Sequence, residues 1–486
     1  METLTLECSN IEVCFQDRIV LRIPSLSVYQ FDRIGIVGGN GQGKSTLLKI
    51  MNGTIQPSKG KVKRFAKFGY FDQLASPSVT EVDAELQSKL AIPNHQQNQL
   101  SGGEQTRLKL AALFSNYHEG LFIDEPTTHL DMKGTDFLIE ELSYYYGSLL
   151  LISHDRYLLD QLVTKIWEVA DGQVTEYTGN YSDYEEQKRL EAKQQQERYK
   201  IYQKDKSRLQ RAADEKMKKA EKITQANQSM SKKETKTPAN RMFMTKSKGT
   251  VQKSVQRAAK AIEKRVEQLE EVEAPEESRD LRFHHSKALQ MHNKFPIMAN
   301  QLSITVGDLP LLDEVSFQFP VGKTIAISGP NGSGKSTLLK HIHENRNGIT
   351  LSPKIVFGHY HQMSYQFSKD ESVFDYIQSR TEQHEAKTRA ALHAMNFQGN
   401  DLIKNVQNLS GGEAIRLTLC ELILGNYNVL ILDEPTNFLD VHCMNALSTF
   451  MKAYQGTILL VSHDRRFVEE VADTVYEIKD LKLKIV

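Results

Sequence analysis

An eight-residue glycine-rich loop occurs twice in this chain, and the same short motifs follow each copy in the same order. The copies are Gly38-Gly39-Asn40-Gly41-Gln42-Gly43-Lys44-Ser45 and Gly329-Pro330-Asn331-Gly332-Ser333-Gly334-Lys335-Ser336. Each fits Gly-x4-Gly-Lys-Ser/Thr, follows an apolar run (Ile34 to Val37; Ile325 to Ile327) and leads into Thr-Leu-Leu-Lys from Thr46 and Thr337. That context predicts strand, loop and helix. Gln73 and Gln362 lie 289 apart, close to the 291 between Gly38 and Gly329, while Ser101 and Ser410, Glu125 and Glu434, and His154 and His463 each differ by 309. The halves therefore run in register, apart from about 20 further residues in the second between Gln362 and Ser410. The chain is an internal duplication.

Short β-branched or Leu-rich runs end at charged turns in both halves: Leu121 to Ile123, Leu149 to Ile152, Val429 to Leu432 and Ile458 to Val461. Such runs suit strands buried on both faces of a mostly parallel sheet, with helices between them. Strand pairs are expected at 165–178 and 474–486. The expected fold is α/β, with two tandem copies at 1–181 and 295–486 and a linker at 182–294. No apolar run is long enough to cross a bilayer, the N-terminus lacks the pattern of a signal peptide, and the four cysteines have no metal-ligand spacing. A cytoplasmic protein without a membrane segment is expected.

The net charge of zero hides an asymmetry: residues 216–260 hold 13 Lys/Arg against the two acids Glu221 and Glu234. From Ser182 to about Ala226 apolar or small residues recur at helical spacing (Leu209, Ala213, Met217, Ala220, Ile223). They do so again at Val251, Val255, Ala258, Ile262, Val266, Leu269 and Val272. The pattern predicts two long antiparallel helices packed along a narrow seam, joined by a loop near 229–249. A solvated charged spacer would show the same composition, but it need not concentrate positive charge at one end.

The glycine-rich loops bare backbone N–H groups to phosphate oxygens at a helix N-terminus. Lys44 and Lys335 are expected on the β/γ-phosphates, and Ser45 and Ser336 on Mg²⁺. Asp124-Glu125-Pro126 and Asp433-Glu434-Pro435 each follow an apolar strand. Adjacent strand-end residues point different ways, so Asp124 and Asp433 are assigned to the metal, and Glu125 and Glu434 to polarising a water. His154 and His463, each in Ser-His-Asp, are expected beside the γ-phosphate and that water. Leu100-Ser101-Gly102-Gly103-Glu104 and Leu409-Ser410-Gly411-Gly412-Glu413 read as capping boxes, and their glycines leave a helix N-terminus open to an anion.

Glycine-rich loop, Gln, Leu-Ser-Gly-Gly, Asp-Glu-Pro and His, in this order and twice over, resemble the nucleotide-binding domain of ATP-binding-cassette proteins. The resemblance implies two composite ATP sites with Mg²⁺. One would combine Lys44, Gln73, Glu125 and His154 with Ser410, Gly411 and Gly412 of the other half. The second would combine Lys335, Gln362, Glu434 and His463 with Ser101, Gly102 and Gly103. Gln73 and Gln362 join the metal set, and Phe15, 23 residues before Gly38, takes the place of an adenine-stacking ring. Val306 holds the matching offset, which implies a weaker, less base-selective second site. Thr128 and Phe438 depart from the usual Asn and His.

Two fused cassettes, a charged helical hairpin and Asp433-Glu434-Pro435-Thr436-Asn437-Phe438-Leu439-Asp440 resemble the ABC-F group. Gly179-Asn180-Tyr181-Ser182-Asp183-Tyr184, Glu273-Ala274-Pro275-Glu276, the long linker loop and the lack of sequence after the last strand pair resemble its Msr-type resistance members. The resemblance implies an ATPase that binds the ribosome as a monomer, needing no second protein subunit. It would lie against rRNA and tRNA near the exit-tRNA site and the peptidyl-transferase centre. Arg241, Met242, Phe243 and Met244 would form the tip near the drug site, and macrolides and streptogramin B are the drugs implied. A housekeeping translation factor of the same group and the ATPase subunit of an importer are the alternatives. With only 28 residues between Gln73 and Ser101, the arm of housekeeping members has no room, and an importer leaves the basic hairpin unexplained.

Overall fold

The computed structural model describes residues 3–15, 18–72, 86, 89–90, 102–128, 130–233, 254, 257–258, 260–262, 264–266, 268–269, 272, 291–360, 367 and 370–486. Gln73, Gln362, Ser101 and the tip residues Arg241, Met242, Phe243 and Met244 lie outside them. The chain divides into two compact units, Met1–Tyr184 with Arg279–Val486, and Glu185–Ser278.

Each half of the first unit holds two sheets. In the first half, β1 (Leu4–Phe15), β2 (Arg18–Tyr29) and β4 (Lys59–Arg64) form an antiparallel sheet in the order β2-β1-β4. The strands β3 (Arg33–Val37), β5 (Phe68–Phe71), β6 (Gly120–Asp124), β7 (Ser148–Ile152) and β8 (Lys165–Ala170) run parallel in the order β5-β6-β7-β3-β8. The antiparallel edge strand β9 (Gln173–Thr178) completes that sheet. The second half repeats the plan. Its small sheet is β11 (Leu309–Phe319), β10 (Ile297–Val306) and β13 (Ile349–Leu351). Its large sheet is β14 (Phe357–Tyr360), β15 (Val429–Asp433), β16 (Thr457–Val461), β12 (Thr324–Ser328), β17 (Thr474–Lys479) and β18 (Lys482–Ile485).

The central strands are apolar throughout because both faces are covered. In β6, β7 and β16 every residue is buried. One face of the first large sheet packs on the helix Lys44–Asn52 and the small sheet, through Leu47, Leu48, Phe122, Leu150 and Trp167. The other packs on the helices Gly102–Phe114, Met132–Tyr144 and Arg156–Leu162, through Leu110, Leu138, Leu142 and Leu158. Adjacent strands β6, β7 and β3 therefore deliver Asp124-Glu125, Ser153-His154 and the glycine-rich loop to one crevice at their carboxyl ends.

The extra residues of the second half build helices Val373–Gln378 and Glu385–Ala394 and two short 3₁₀ turns, with Val373, Ile377, Leu392, Met395 and Phe397 packed into the same core as Cys420 and Leu424. After the first half, the helix Tyr181–Lys233 runs without a break. It enters the stretch expected to form the loop, because the first residue hostile to a helix is Pro238. On the second unit, Leu209 and Ala213 of the expected seam are half-buried and buried, Ala258, Ile262, Val266, Leu269 and Val272 are half-buried, and Met217, expected on the same seam, is exposed.

Candidate functional site

The two glycine-rich loops share a backbone. Gly38, Gly41 and Gly43 have φ of 146°, 80° and 100°, and Gly329, Gly332 and Gly334 have 142°, 78° and 98°. A Cβ on Gly38 would lie 2.3 Å from the Val169 carbonyl oxygen, so no other residue fits there. Gly41 and Gly332 face open space, where the need is a left-handed backbone rather than room. The helices that follow, Lys44–Asn52 and Lys335–His343, have neither a side-chain cap nor an acidic residue in the first turn. Other helices do, through Asp131, Asp155, Asp440 and Asp464. An uncapped helix N-terminus behind a cradle of N–H groups is fitted to an anion.

The lysines turn back on their own loops. Lys44 Nζ donates to the Gly38 and Gly39 carbonyls at 2.8 and 3.1 Å, and Lys335 Nζ to Gly329 and Pro330 at 2.8 and 3.0 Å. Burial lowers the pKa of both ammonium groups, opposed first by Glu125 and Glu434.

Glu125 and Glu434 sit just past the ends of β6 and β15 with φ of 50° and 51°, a strained backbone for a non-glycine residue. The strain is held by Glu125 N–H donating to the Ile152 carbonyl and Glu434 N–H to Val461, both at 2.9 Å. His154 and His463 lie against these carboxylates. Their backbone N–H groups donate to Oε2 at 3.3 and 3.4 Å, and their Nε2 atoms lie 3.5 and 3.4 Å from Oε1. Burial raises the Glu434 carboxyl to about 8, with Asp433 adding to the rise, and Glu125 shifts the same way. Burial and the nearby Lys335 push His463 down to about 4, and burial and Lys44 lower His154 likewise. Each pair is thus a neutral imidazole facing a carboxyl poised near neutral pH.

Asp124 is buried, hydrogen-bonds the Ser45 hydroxyl, and keeps its Oδ1 without a hydrogen-bond partner among the described residues. A hydroxyl beside an unsatisfied buried carboxylate oxygen suits a hard divalent cation. Thr46 lines the same cleft.

Both clefts draw on both halves. The first, about 390 Å³, is lined by Phe15, Asn40, Lys44, Asp124, Glu125 and His154, with Phe438 from the second half. The other, about 620 Å³, opens between the halves and reaches both carboxylate–histidine pairs: Asn331, Gly332, Glu434 and His463 line it together with Gly102, Gly103, Glu125 and His154 of the first half. Ser410 caps its helix through a capping box with Glu413, as the sequence suggests, and Gly412 lies beside the Phe438 carbonyl. That carbonyl accepts from Asn40 Nδ2 of the first loop at 3.1 Å. Phe15 is half exposed, as is Val306 at the matching place.

Two residues to which the sequence assigned no role join the halves directly. Asp440 Oδ1 caps its own helix at Cys443 N, while Oδ2 accepts from Asn40 N of the opposite loop, both at 2.9 Å. Asp131 does the same, with Gly134 N at 2.9 Å and Asn331 N at 3.0 Å. Burial works against both carboxylates, but these N–H groups hold them below their usual range. They lie 309 apart, the offset shared by Glu125 and Glu434, so the repeat itself was the signal. The clefts differ in one respect. Asn40 reaches Phe438 of the other half, whereas Asn331 Oδ1 lies 3.1 Å from His463 Nε2 of its own.

A further join lies outside the clefts. Arg466, three residues past His463, donates to Asp160 Oδ2 at 3.1 Å. Asp160 also accepts from Ser182 N at 2.7 Å and Ser182 Oγ at 2.8 Å, in the first turn of the helix Tyr181–Lys233. The guanidinium of Arg466 also stands 5.8 Å over the ring of Tyr181.

Among known proteins, a family profile described as ABC transporter matches residues 21–81 and 312–437, and a second such profile, the extension, matches 167–239. The chain is 41% identical to the erythromycin resistance ATP-binding protein MsrA of Staphylococcus epidermidis, over 98% of both chains. It is 32% identical to the ribosome protection protein VmlR of Bacillus subtilis, over 96% of this chain and 85% of that one. The fold is shared with the archaeal ribosome recycling factor aABCE1, at a TM-score of 0.64 and 18% identity over 96% of this chain and 87% of that one. Paired cassettes that close on each other's phosphate loops, an extension between them and relatives matched from end to end leave one assignment: the chain belongs to the ABC-F family of ATP-binding-cassette proteins and is an ATPase.

Proposed function

We propose that this ATPase binds the ribosome in its ATP-closed form, protects it from an inhibitor that occupies the peptidyl-transferase region, and leaves on hydrolysis. The observation that carries the reading is the reciprocal engagement of each phosphate loop by the other cassette, through Asp440 on Asn40 and Asp131 on Asn331. Closure of the two halves and occupation of the two clefts are then one event. End-to-end similarity to an erythromycin resistance protein and a ribosome protection protein supports the ribosome as partner and macrolides, with streptogramin B, as the drugs. The basic stretch 216–260 suits rRNA and tRNA phosphates near the exit-tRNA site, with 241–244 as the tip.

Within each cleft the loop N–H groups and Lys44 or Lys335 hold the triphosphate. Ser45 with Asp124, and Ser336 with Asp433, would hold Mg²⁺, and Gln73 and Gln362 would complete the sets. Bound Mg²⁺ would draw charge from the phosphate oxygens. Glu125 and Glu434 accept the proton of the attacking water in their ionised form, which the nearby Lys44 and Lys335 favour, and the neutral His154 and His463 orient it. Phe15 lies under the base at the first site. Ser410 with Gly411 and Gly412, and Ser101 with Gly102 and Gly103, offer N–H groups to the γ-phosphate held by the other half.

The test is sedimentation of Glu125→Gln/Glu434→Gln protein with ribosomes and ATP, together with erythromycin tolerance in a susceptible bacterium carrying the parent protein or a 229–249 deletion. Retention on ribosomes and tolerance lost on deletion are expected. Absence from the ribosome pellet would sink the reading, and tolerance that survives the deletion would remove the tip from it.

A further inference from the structure

The duplication supplies an internal comparison. Strands β1 and β10 pair with β4 and β13 in equivalent registers, Leu6 with Arg64 and Ile297 with Leu351. Phe65 N and Ser352 N then donate to Thr5 and Pro296, both at 2.8 Å, so Phe65 and Ser352 are counterparts. Elsewhere the sequence offsets align the halves. A tyrosine with the same bond is common to both: the half-buried Tyr145 donates through Oη to the His118 carbonyl at 2.6 Å, and the buried Tyr454 to Tyr427 at 2.9 Å.

The residues around that tyrosine differ in one direction. In the first cassette Phe31, Phe65, Tyr117, Tyr144 and Tyr146 are 51%, 58%, 75%, 81% and 75% exposed. The second cassette has Gly322, Ser352, Asn426, Ala453 and Gln455 in their places. Phe31 and Tyr117 are both in contact with Tyr146 at the end of the cassette opposite the nucleotide clefts. Phe31 meets Tyr146 edge to face at 5.1 Å, and Tyr117 Oη donates to the Tyr146 carbonyl at 3.0 Å. Glu119, two residues on, exchanges hydrogen bonds with Lys67, which brings in the strand end at Phe65. Contacts of this kind hold rings in place before any ligand arrives.

Cations vary with the rings. On the exposed face of β4, Lys61 and Lys63 lead up to Phe65, Lys63 sharing its ammonium with Glu7 Oε2 of β1 at 2.9 Å, and their counterparts in the second cassette are Gly348 and Thr350. Lysines on an edge strand also deter pairing with other chains, but that role accounts for neither Phe65 nor the tyrosines. Rings with open faces beside a row of ammonium groups match a ligand with stackable planes on a polyanionic backbone.

We infer that this end of the first cassette is a second RNA-binding face, which takes unpaired nucleotides by stacking them on Phe65, Tyr117 and Tyr146 and holding their phosphates with Lys61 and Lys63. It goes beyond the reading above, in which only 216–260 meets RNA.

The experiment photo-crosslinks a 4-thiouridine oligouridylate to the full chain and maps the labelled peptides. It compares the parent with Phe65→Ser/Tyr117→Asn/Tyr146→Gln and with Lys61→Gln/Lys63→Gln. Unchanged ATP hydrolysis and melting temperature establish that both variants are folded. Crosslinks within 59–67 and 115–147 are expected, falling about tenfold or more in the aromatic variant. In the lysine variant the slope of log affinity against log salt should flatten by about 1.4, at about 0.7 per single-strand phosphate contact. Crosslinks confined to 182–294, or equal labelling of the parent and the aromatic variant, would overturn the inference. So would unchanged RNA labelling with loss of binding to isolated ribosomal proteins, which would assign the face to a protein partner. Because the probe is an oligonucleotide, failed ribosome sedimentation leaves this result standing, and the reverse also holds.

Discussion

Asp440 has two hydrogen-bonding tasks, and a single substitution can separate them. Serine is about as good a helix cap as aspartate, so Asp440→Ser keeps the bond to Cys443 N, but its shorter side chain cannot also reach Asn40 N. A hydrogen bond from a backbone N–H to a charged group contributes about 1.5–3 kcal/mol, and the lower end applies here because Asn40 is exposed. A loss of about 1.5 kcal/mol makes closure of the cassettes about tenfold less favourable. Asp440→Ala loses the cap as well, a further ~1 kcal/mol, or about 2–4 °C in melting temperature for a domain of this size. A donor–acceptor dye pair across the two cassettes, read against ATP concentration, measures closure, and a thermal melt measures the cap. Asp440→Ser should need about tenfold more ATP to close while melting above Asp440→Ala. Closure at the parent's ATP concentration would refute the claim that the aspartate latches the halves together.

Two further outcomes follow from the clefts. Burial holds the Glu434 carboxyl at about 8 in the folded chain, against an ordinary 4.5, so the folded state keeps a proton that the unfolded state releases. The stabilisation is full below about 4.5 and is lost as pH rises through about 8. Relative to Glu434→Gln, the parent should therefore lose up to about 1.4 kcal/mol per pH unit between 6.5 and 8 in urea titrations. His463, held down to about 4 when folded, is present in both proteins, so its unfolded-state titration near 6.5 cancels in the comparison, and parallel pH profiles would remove the burial argument. Lys335→Ala protein, left with the first site and Phe15, should bind ATP more tightly and separate it from GTP more sharply than Lys44→Ala protein, left with Val306. Equal affinities in nucleotide titrations would count against a stacking role for Phe15.

The parts of the fold that were legible were those with a local signature. Gly38, Gly41 and Gly43 announce a backbone that only glycine adopts, and the apolar runs of β6, β7, β15 and β16 announce strands covered on both sides. Asp131 and Asp440 were readable only as helix caps, because a cap looks the same in sequence whether or not its second oxygen meets another half. The burial that raises Glu125 and Glu434 also escaped, since it comes from packing of the whole crevice around two strand ends. The exposed rings of the first cassette were in plain sight as letters. They stand out only once register pairing sets Phe65 against Ser352, residues whose separation differs from every motif offset.

Asp160 seats the first turn of the helix Tyr181–Lys233 and grips Arg466, three residues past the histidine of the second cleft. One carboxylate therefore carries strain both ways. If nucleotide binding at the second cleft shifts the rooting of that helix, whatever shifts the rooting changes nucleotide affinity there by the same free energy. A docked target would then tune how firmly the protein holds its own fuel, making the clock that times departure answerable to the quality of the grip.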